Sequence, residues 1–215
     1  MTRAALVIFD NDGVLVDSER LANGILAELL TEAGLPYTLD EAVRDYMGGS
    51  MVSMRLKAEA MLGSALPADL EDRYHQQLFE GFAHLQPVPG VREVLDRLDA
   101  DGTAYCLASS GTHRRIRTAL ATVGFWDRFE GRIFSSEDVE HGKPAPDLFL
   151  HAASTMGVKP DDCVVVEDSP LGVEAANAAG MRVLGFAAMT DPAKLSTATA
   201  IFTTMDELPE LLDQV

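Results

Sequence analysis

The chain is predicted to fold as an α/β protein: a doubly wound parallel sheet carrying a small all-helical domain. Three observations predict this. Short, unalternating apolar runs alternate with helical patterns through the second half of the 215-residue chain, as strands covered on both faces require. The stretch between the first and second apolar runs holds helical patterns only. Polar segments rich in Asp, Ser and Gly follow directly on the first, second and fourth runs, at the carboxyl ends where open α/β sheets bind ligands.

Taken in order, Ala4–Phe9 is the first strand. Ser18 then caps a helix carrying Leu21, Ile25, Leu29 and Leu30 and ended by Gly34. Asp40–Met47, Val52–Leu62 and Ala68–Leu85 read as further helices. Met47, Met51, Met54 and Met61 are expected to pack among them, with Met51 or Ser50 lining the substrate pocket as the alternative. Pro87-Val88-Pro89-Gly90 punctuates the return to alternation. From there strands at Ala104–Ala108, Arg132–Ser135, Cys163–Glu167, Arg182–Phe186 and Ala200–Thr203 are expected. Helices over Arg92–Leu98, Ile116–Val123, Pro146–Met156 and Pro170–Ala179 fall between them, the last stopped by Gly180. The expected division is residues 1–16 with 87–215 for the α/β core and 17–86 for the helical domain, joined near Val16–Asp17 and Gln86–Pro89.

Composition is that of an ordinary globular protein, 47% hydrophobic and 24% charged. With 17 basic and 34 acidic residues the net charge is -17. Such a surface repels polyanions, so nucleic acid and membrane are not expected partners. A small anionic substrate remains compatible, because a metal ion and one Lys reverse the field locally. The apolar run at the N-terminus is short and ends in Asp10 and Asp12, unlike a signal peptide. No run approaches the roughly 18 apolar residues that span a bilayer. Cys106 and Cys163 both fall in apolar runs, so a reducing, cytoplasmic setting is expected. The chain is expected to be a monomer or a homodimer.

Four segments carry the chemistry. Asp10 and Asp12 are two apart where the first strand ends, which places both side chains on one face of extended chain. Gly13 permits the sharp departure beyond them. One carboxylate can attack phosphorus and the other can exchange a proton with the leaving group and water. Ser109 and Ser110 end the second strand, where hydroxyls and backbone N–H groups can hold phosphate oxygens. Lys143 sits between Gly142 and Pro144 and can neutralise charge on the nucleophile and the phosphoryl group. Glu167 and Asp168 end a strand of valines, a costly place for carboxylates unless paired or metal-bound. Mg²⁺ suits such oxygen ligands, with Asp10, Asp12, Asp168 and Glu167 as the candidate set. Each segment alone has a bland alternative: an acidic turn, a helix-capping Ser, a solvated Lys, an exposed acidic strand end. Those alternatives do not account for all four occurring together.

Asp10-Asn11-Asp12-Gly13-Val14-Leu15-Val16-Asp17-Ser18-Glu19, Gly142-Lys143-Pro144-Ala145-Pro146-Asp147 and Val166-Glu167-Asp168-Ser169-Pro170-Leu171-Gly172 resemble, as a set, motifs of the haloacid dehalogenase-like hydrolases. The subgroup resembled contains phosphoglycolate phosphatase, sugar-phosphate phosphatases and β-phosphoglucomutase. The resemblance covers nearly the whole chain, with the helical domain placed as that family's cap. It implies a Rossmann-like core, Asp10 as nucleophile and Asp12 as general acid and base. It further implies Ser109 and Lys143 as phosphate ligands and Asp168 as a Mg²⁺ ligand supported by Glu167. The substrate implied is a small phosphorylated metabolite. The family's dehalogenases match poorly, because they work without metal and typically lack the second Asp present here as Asp12. The mutase is the alternative. Where it uses a cap His and a cap Arg, this chain aligns Ala22 and Met51, which favours hydrolysis. A binding or regulatory protein with an idle site is a third reading, opposed by the intact set Asp10, Asp12, Lys143 and Asp168.

Three further readings complete the set. Gly49 and Ser50, in the Gly48-Gly49-Ser50 loop, are candidate substrate contacts. Arg114 and Arg115 read as a solvated helix face, contact with a distal phosphate or a carboxylate being the sharper alternative. His75, His84, His113, His141 and His151 are scattered without ligand spacing. Asn11 stands where the family more often has an apolar residue, and its side chain is expected to point away from Asp10 and Asp12.

Overall fold

The structure is a computed structural model describing residues 4–46 and 51–215. The chain divides into two compact units. One comprises Met1–Asp17 with Gln86–Val215 and the other Ser18–Leu85.

The first unit opens with β1 (Leu6–Phe9), all four residues buried. The second unit then intervenes with α1 (Ser18–Glu32), α2 (Leu39–Tyr46), α3 (Met51–Leu62) and α4 (Leu70–Gly81). Here α1 is the organising helix and packs on both α2 and α4. It approaches α4 closely: a Cβ placed on Gly81 would stand 2.8 Å from a Leu21 methyl. Met54 is buried, whereas Met61 is mostly exposed, as are Val52 and Leu56. The apolar residues of α3 do not share one face, so helical periodicity does not bury them all.

The first unit resumes with α5 (Val91–Asp101), β2 (Ala104–Ser109), α6 (His113–Val123) and a single turn, α7 (Trp126–Phe129). It continues through β3 (Ile133–Ser135), α8 (Asp147–Thr155), β4 (Cys163–Glu167), α9 (Pro170–Ala178), β5 (Arg182–Phe186), β6 (Ala200–Phe202) and α10 (Leu208–Gln214). The turn α7 and helix α10 were not read from the sequence; four and seven residues are too short to show periodicity.

All strand pairs are parallel, in the order β3-β2-β1-β4-β5-β6. Parallel strands need crossover connections, and the intervening helices supply them. Alternate residues of the central strands face opposite layers. Leu6, Ile8, Cys106, Ala108 and Val165 join Leu148, Phe149, Ala152, Val173 and Ala176 of α8 and α9 in one core. On the other face Phe9 and Phe129 both meet Tyr105 edge-on, and the Tyr105 hydroxyl donates to Asp99 of α5. This unalternating burial is why the strands read as continuous apolar runs.

The sheet order sets up the site. The chain winds from β1 out through β2 to β3, then returns to the opposite side of β1 with β4. The carboxyl ends of β2, β1 and β4 therefore lie side by side at a topological switch point. The two excursions into and out of the second unit are tied together at their base. Asp17 N donates to Gln86 O at 3.0 Å, and Val88 N donates to Leu15 O at 3.1 Å.

Candidate active site

Phe9 pairs with Leu107 on one side and Val166 on the other. Continuing that register places Asp10 between Ala108 and Glu167, with Ser109 and Asp168 one step further. Asp10 N donates to Val166 O at 3.0 Å, so the ladder extends to the carboxylate itself. Asp10, Ser109, Glu167 and Asp168 are all buried.

Beyond Asp10 the chain turns tightly. Leu15 N and Val16 N both donate to Asn11 O at 3.0 Å, and Gly13 N donates to Val16 O at 2.8 Å. Gly13 has φ of 79°, a left-handed conformation that Gly adopts without steric cost. Fully buried Asn11 donates from Nδ2 to Asp12 Oδ2 at 3.3 Å, so it does not point away from Asp12 as expected, and the bond gives this residue a physical role.

Lys143 is the electrostatic centre. Its ammonium donates to Asp10 Oδ1 at 2.6 Å, Glu167 Oε1 at 2.6 Å and Ala108 O at 3.1 Å. An ammonium has three protons, and these three acceptors take them all. The Nζ also lies 4.9 Å from the Phe149 ring centroid. A phosphate contact, the role the sequence suggested for this Lys, requires one of the three bonds to be exchanged. Burial pulls the amine down, but Asp10 and Glu167 more than offset it and hold Lys143 charged.

Glu167 was read as a metal ligand, and the structure employs it differently. Oε1 accepts from Lys143, and Oε2 accepts from Ser169 N at 2.8 Å and Ser169 Oγ at 2.9 Å. Ser169 caps α9, its Oγ accepting from Gly172 N at 3.1 Å. Gly172 lies directly against the carboxylate: a Cβ there would stand 1.8 Å from Glu167 Oε1. Glu167 is thus locked in place to hold Lys143.

The carboxylates outnumber the cation between them. Burial, with the charges of Glu167 and Asp12, pushes Asp10 up to about 7 against the pull of Lys143. For Asp10 to serve as a nucleophile it must be ionised, so that role calls for further positive charge. Among the described residues no three His, Cys, Asp or Glu side chains converge as a metal cage. Mg²⁺ nonetheless fits, because it is usually held by one or two carboxylates plus waters and substrate phosphate. Asp10 and Asp168 supply hard oxygen donors on adjacent strand ends. Thr190 Oγ1 holds the Asp168 backbone by donating to its carbonyl at 2.6 Å.

The loop after β2 is anchored by the end of β3. Ser135 Oγ donates to Gly111 O at 2.7 Å, and Ser136 Oγ donates to Ser110 O at 2.8 Å. Ser109 Oγ accepts from Gly111 N at 3.0 Å, while Ser110 is exposed. Thr112, not either serine, caps α6 by accepting from Arg115 N. The capping alternative for Ser109 and Ser110 therefore falls away.

Sequence reasoning placed Arg115 on a solvated face. The structure turns it inward: Arg115 Nη2 donates to Asp12 Oδ1 at 2.7 Å, with the Arg side chain 33% exposed. Thr112 sets where α6 begins, which brings its first turn back over the loop beyond β2, and β1 is the neighbouring strand. Arg117 instead stacks on Trp126. Gly49 and Ser50 lie outside the described residues. Cys106 and Cys163 are buried and unbridged. Burial pushes both thiols up, Cys163 to about 11, so neither is a nucleophile.

Comparison with known proteins fits this geometry. The family model for haloacid dehalogenase-like hydrolases matches residues 7–186. The chain belongs to the haloacid dehalogenase-like hydrolases. Its homology to their phosphatases makes it a phosphoric monoester hydrolase. It is 28% identical over 216 residues to 6-phosphogluconate phosphatase of Escherichia coli, covering 98% of this chain and 96% of the relative. A conserved haloacid dehalogenase-like protein from Agrobacterium tumefaciens superposes with a TM-score of 0.93 at 35% identity, covering 98% of each chain. A hydrolase of the family from Deinococcus radiodurans, solved with bound phosphate and sodium, has a TM-score of 0.88 at 28% identity. That match covers 100% of this chain and 97% of the other. No helix among the described residues is long and apolar enough to cross a membrane.

Proposed function

We propose that this phosphatase hydrolyses a small phosphorylated metabolite, a sugar phosphate or related phospho-acid, through a phosphoryl group carried on Asp10, with Mg²⁺ as cofactor. The observation that carries this reading is the buried Lys143 ammonium, bonded at once to Asp10 and Glu167. It fixes one Asp10 oxygen and leaves Oδ2 as the attacking atom.

The chain's own groups then divide the work. Asp10 Oδ2 attacks phosphorus as the bond to the leaving oxygen breaks, and Asp12 donates a proton to that oxygen. Asp12, now ionised, takes a proton from water, whose oxygen attacks phosphorus and breaks the bond to Asp10. Phosphate leaves and both carboxyl groups are restored. Ser109 Oγ, with the backbone N–H of Ser110, holds phosphate oxygens. Lys143 balances the charge on Asp10, and Glu167 keeps Lys143 in register. Asp10 and Asp168 would hold Mg²⁺, with Asp12 contributing at most its backbone carbonyl. When bound, the ion offsets repulsion between Asp10 and the phosphate dianion. Two buried, unbridged cysteines suit a reducing cytoplasm.

The test is phosphate release from a panel of sugar phosphates, phosphoglycolate and phosphogluconate, with Mg²⁺ and with EDTA, beside Asp10→Asn. Release that needs both the metal and Asp10 supports the reading. Isomerised sugar phosphate without free phosphate would turn it into a mutase.

A further inference from the structure

The Arg115–Asp12 pair is not explained by the phosphatase reading. Exposed ion pairs contribute only about 0–1 kcal/mol to stability, yet Arg115 sits half-buried with a 2.7 Å bond to one oxygen of Asp12. The helix that carries it is set for this. The Thr112 cap accepts from Arg115 N at 3.3 Å, which fixes the first turn of α6 where Arg115 leaves it. The other Asp12 oxygen is met by Asn11 Nδ2 at 3.3 Å, at the long edge of hydrogen bonding. A carboxylate rotates freely about its last bond unless something holds it. Here Arg115 fixes Oδ1 firmly and Asn11 steadies Oδ2 weakly.

We propose that Arg115 is the positioning residue for Asp12, holding its Oδ1 so that Oδ2 exchanges the proton with the leaving oxygen and then with water. The inference rests on the phosphatase reading above. Its consequence is selective. In this role Arg115 acts through Asp12, so it matters where the leaving group needs a proton and matters little where it does not. Misplacing a reacting group by about 1 Å costs about 100-fold.

The experiment measures kcat/KM, which reports the steps up to departure of the leaving group, on two substrates. Glycerol phosphate has a poor leaving group that needs protonation, and p-nitrophenyl phosphate has a good one that does not. The proteins are wild type, Arg115→Met, Arg115→Lys, Asp12→Asn and the double variant Asp12→Asn/Arg115→Met. Arg115→Met is expected to lower kcat/KM on glycerol phosphate by about 100-fold, and by at least tenfold less on p-nitrophenyl phosphate. Arg115→Lys, which keeps a cation, restores part of the loss and stands in if the Met variant does not fold. Asp12→Asn shows the same substrate bias, and adding Arg115→Met to it changes nothing further.

Equal losses on both substrates, or additive losses in the double variant, would assign Arg115 to gripping substrate or to stability and overturn the proposal. No loss on glycerol phosphate would overturn it as well. Failure of wild type to release phosphate from these two substrates and from every member of the panel above would instead overturn the phosphatase reading, and this inference with it.

Discussion

Gly172→Ala adds one methyl group on α9, away from the nucleophile in sequence, yet it is expected to disable the site. The new Cβ would stand 1.8 Å from Glu167 Oε1, 1.9 Å from its Cδ and 2.4 Å from Oε2. The obstacle is not a flexible chain end that swings aside, because Glu167 is buried and bonded at both oxygens. Making room breaks the 2.6 Å bond to Lys143 and the bonds from Ser169. Disrupting a buried charge pair costs about 3–5 kcal/mol. In a protein of this size each kcal/mol moves the melting temperature by about 2–4 °C, so a fall of roughly 6–20 °C is expected. Phosphate release should fall about 100-fold or more, because Lys143 loses the partner that aligns it on Asp10. Gly24→Ala is the matched control. It lies inside α1 with nothing within 4 Å of the added Cβ, so the better helix former should stabilise by about 0.5–1 kcal/mol. Thermal melts and phosphate release on both variants decide the matter. If Gly172→Ala melts within about 2 °C of wild type and keeps its activity, the lock on Glu167 is not what holds Lys143.

Two other perturbations follow from the same cluster. Lys143→Met leaves Asp10 and Glu167 facing each other without their shared cation, so destabilisation of about 3–5 kcal/mol and loss of phosphate release are expected; urea titration reads the first. Asp10→Asn tests the charge imbalance. The folded-state Asp10 carboxyl is raised from 3.8 to about 7, so its stabilising contribution in metal-free protein is full below about pH 4 and is lost as pH rises through about 7. In EDTA the melting temperature of Asp10→Asn relative to wild type should therefore rise between pH 5 and pH 8. Mg²⁺ at pH 8 should then raise the wild type more than the variant. A difference that is flat with pH would contradict the assigned imbalance.

Much of this molecule is legible in its sequence because strands buried on both faces leave an unmistakable trace. Cys163–Glu167 and Arg182–Phe186 match observed strands residue for residue, and the carboxylates and serines beyond them follow from where parallel strands end. The partners of those groups are another matter. Lys143 reaches Asp10 across 133 residues, and Arg115 reaches Asp12 across 103. Helical periodicity places Ile116 inside but cannot say that Arg115, one position earlier, lies over the neighbouring strand end. Glu167 shows the same limit. Its position at a strand end was readable, whereas its commitment to Lys143 and Ser169 depends on how close α9 comes at Gly172. Gly172 closes the motif four residues beyond Asp168, yet the local sequence gives no sign that a helix approaches so near the Glu167 carboxylate.

The most direct test of the account is to find the phosphoryl group on Asp10. Asp12→Asn protein, which should form the intermediate from p-nitrophenyl phosphate but hydrolyse it slowly, is mixed with that substrate and Mg²⁺, quenched in acid and mapped by mass spectrometry. A phosphoryl group on the peptide containing Asp10, absent from Asp10→Asn protein treated identically, is the predicted result. Continued phosphate release with no phosphoryl group on that peptide at any quench time would mean that water attacks the substrate directly, contradicting the role given to Asp10.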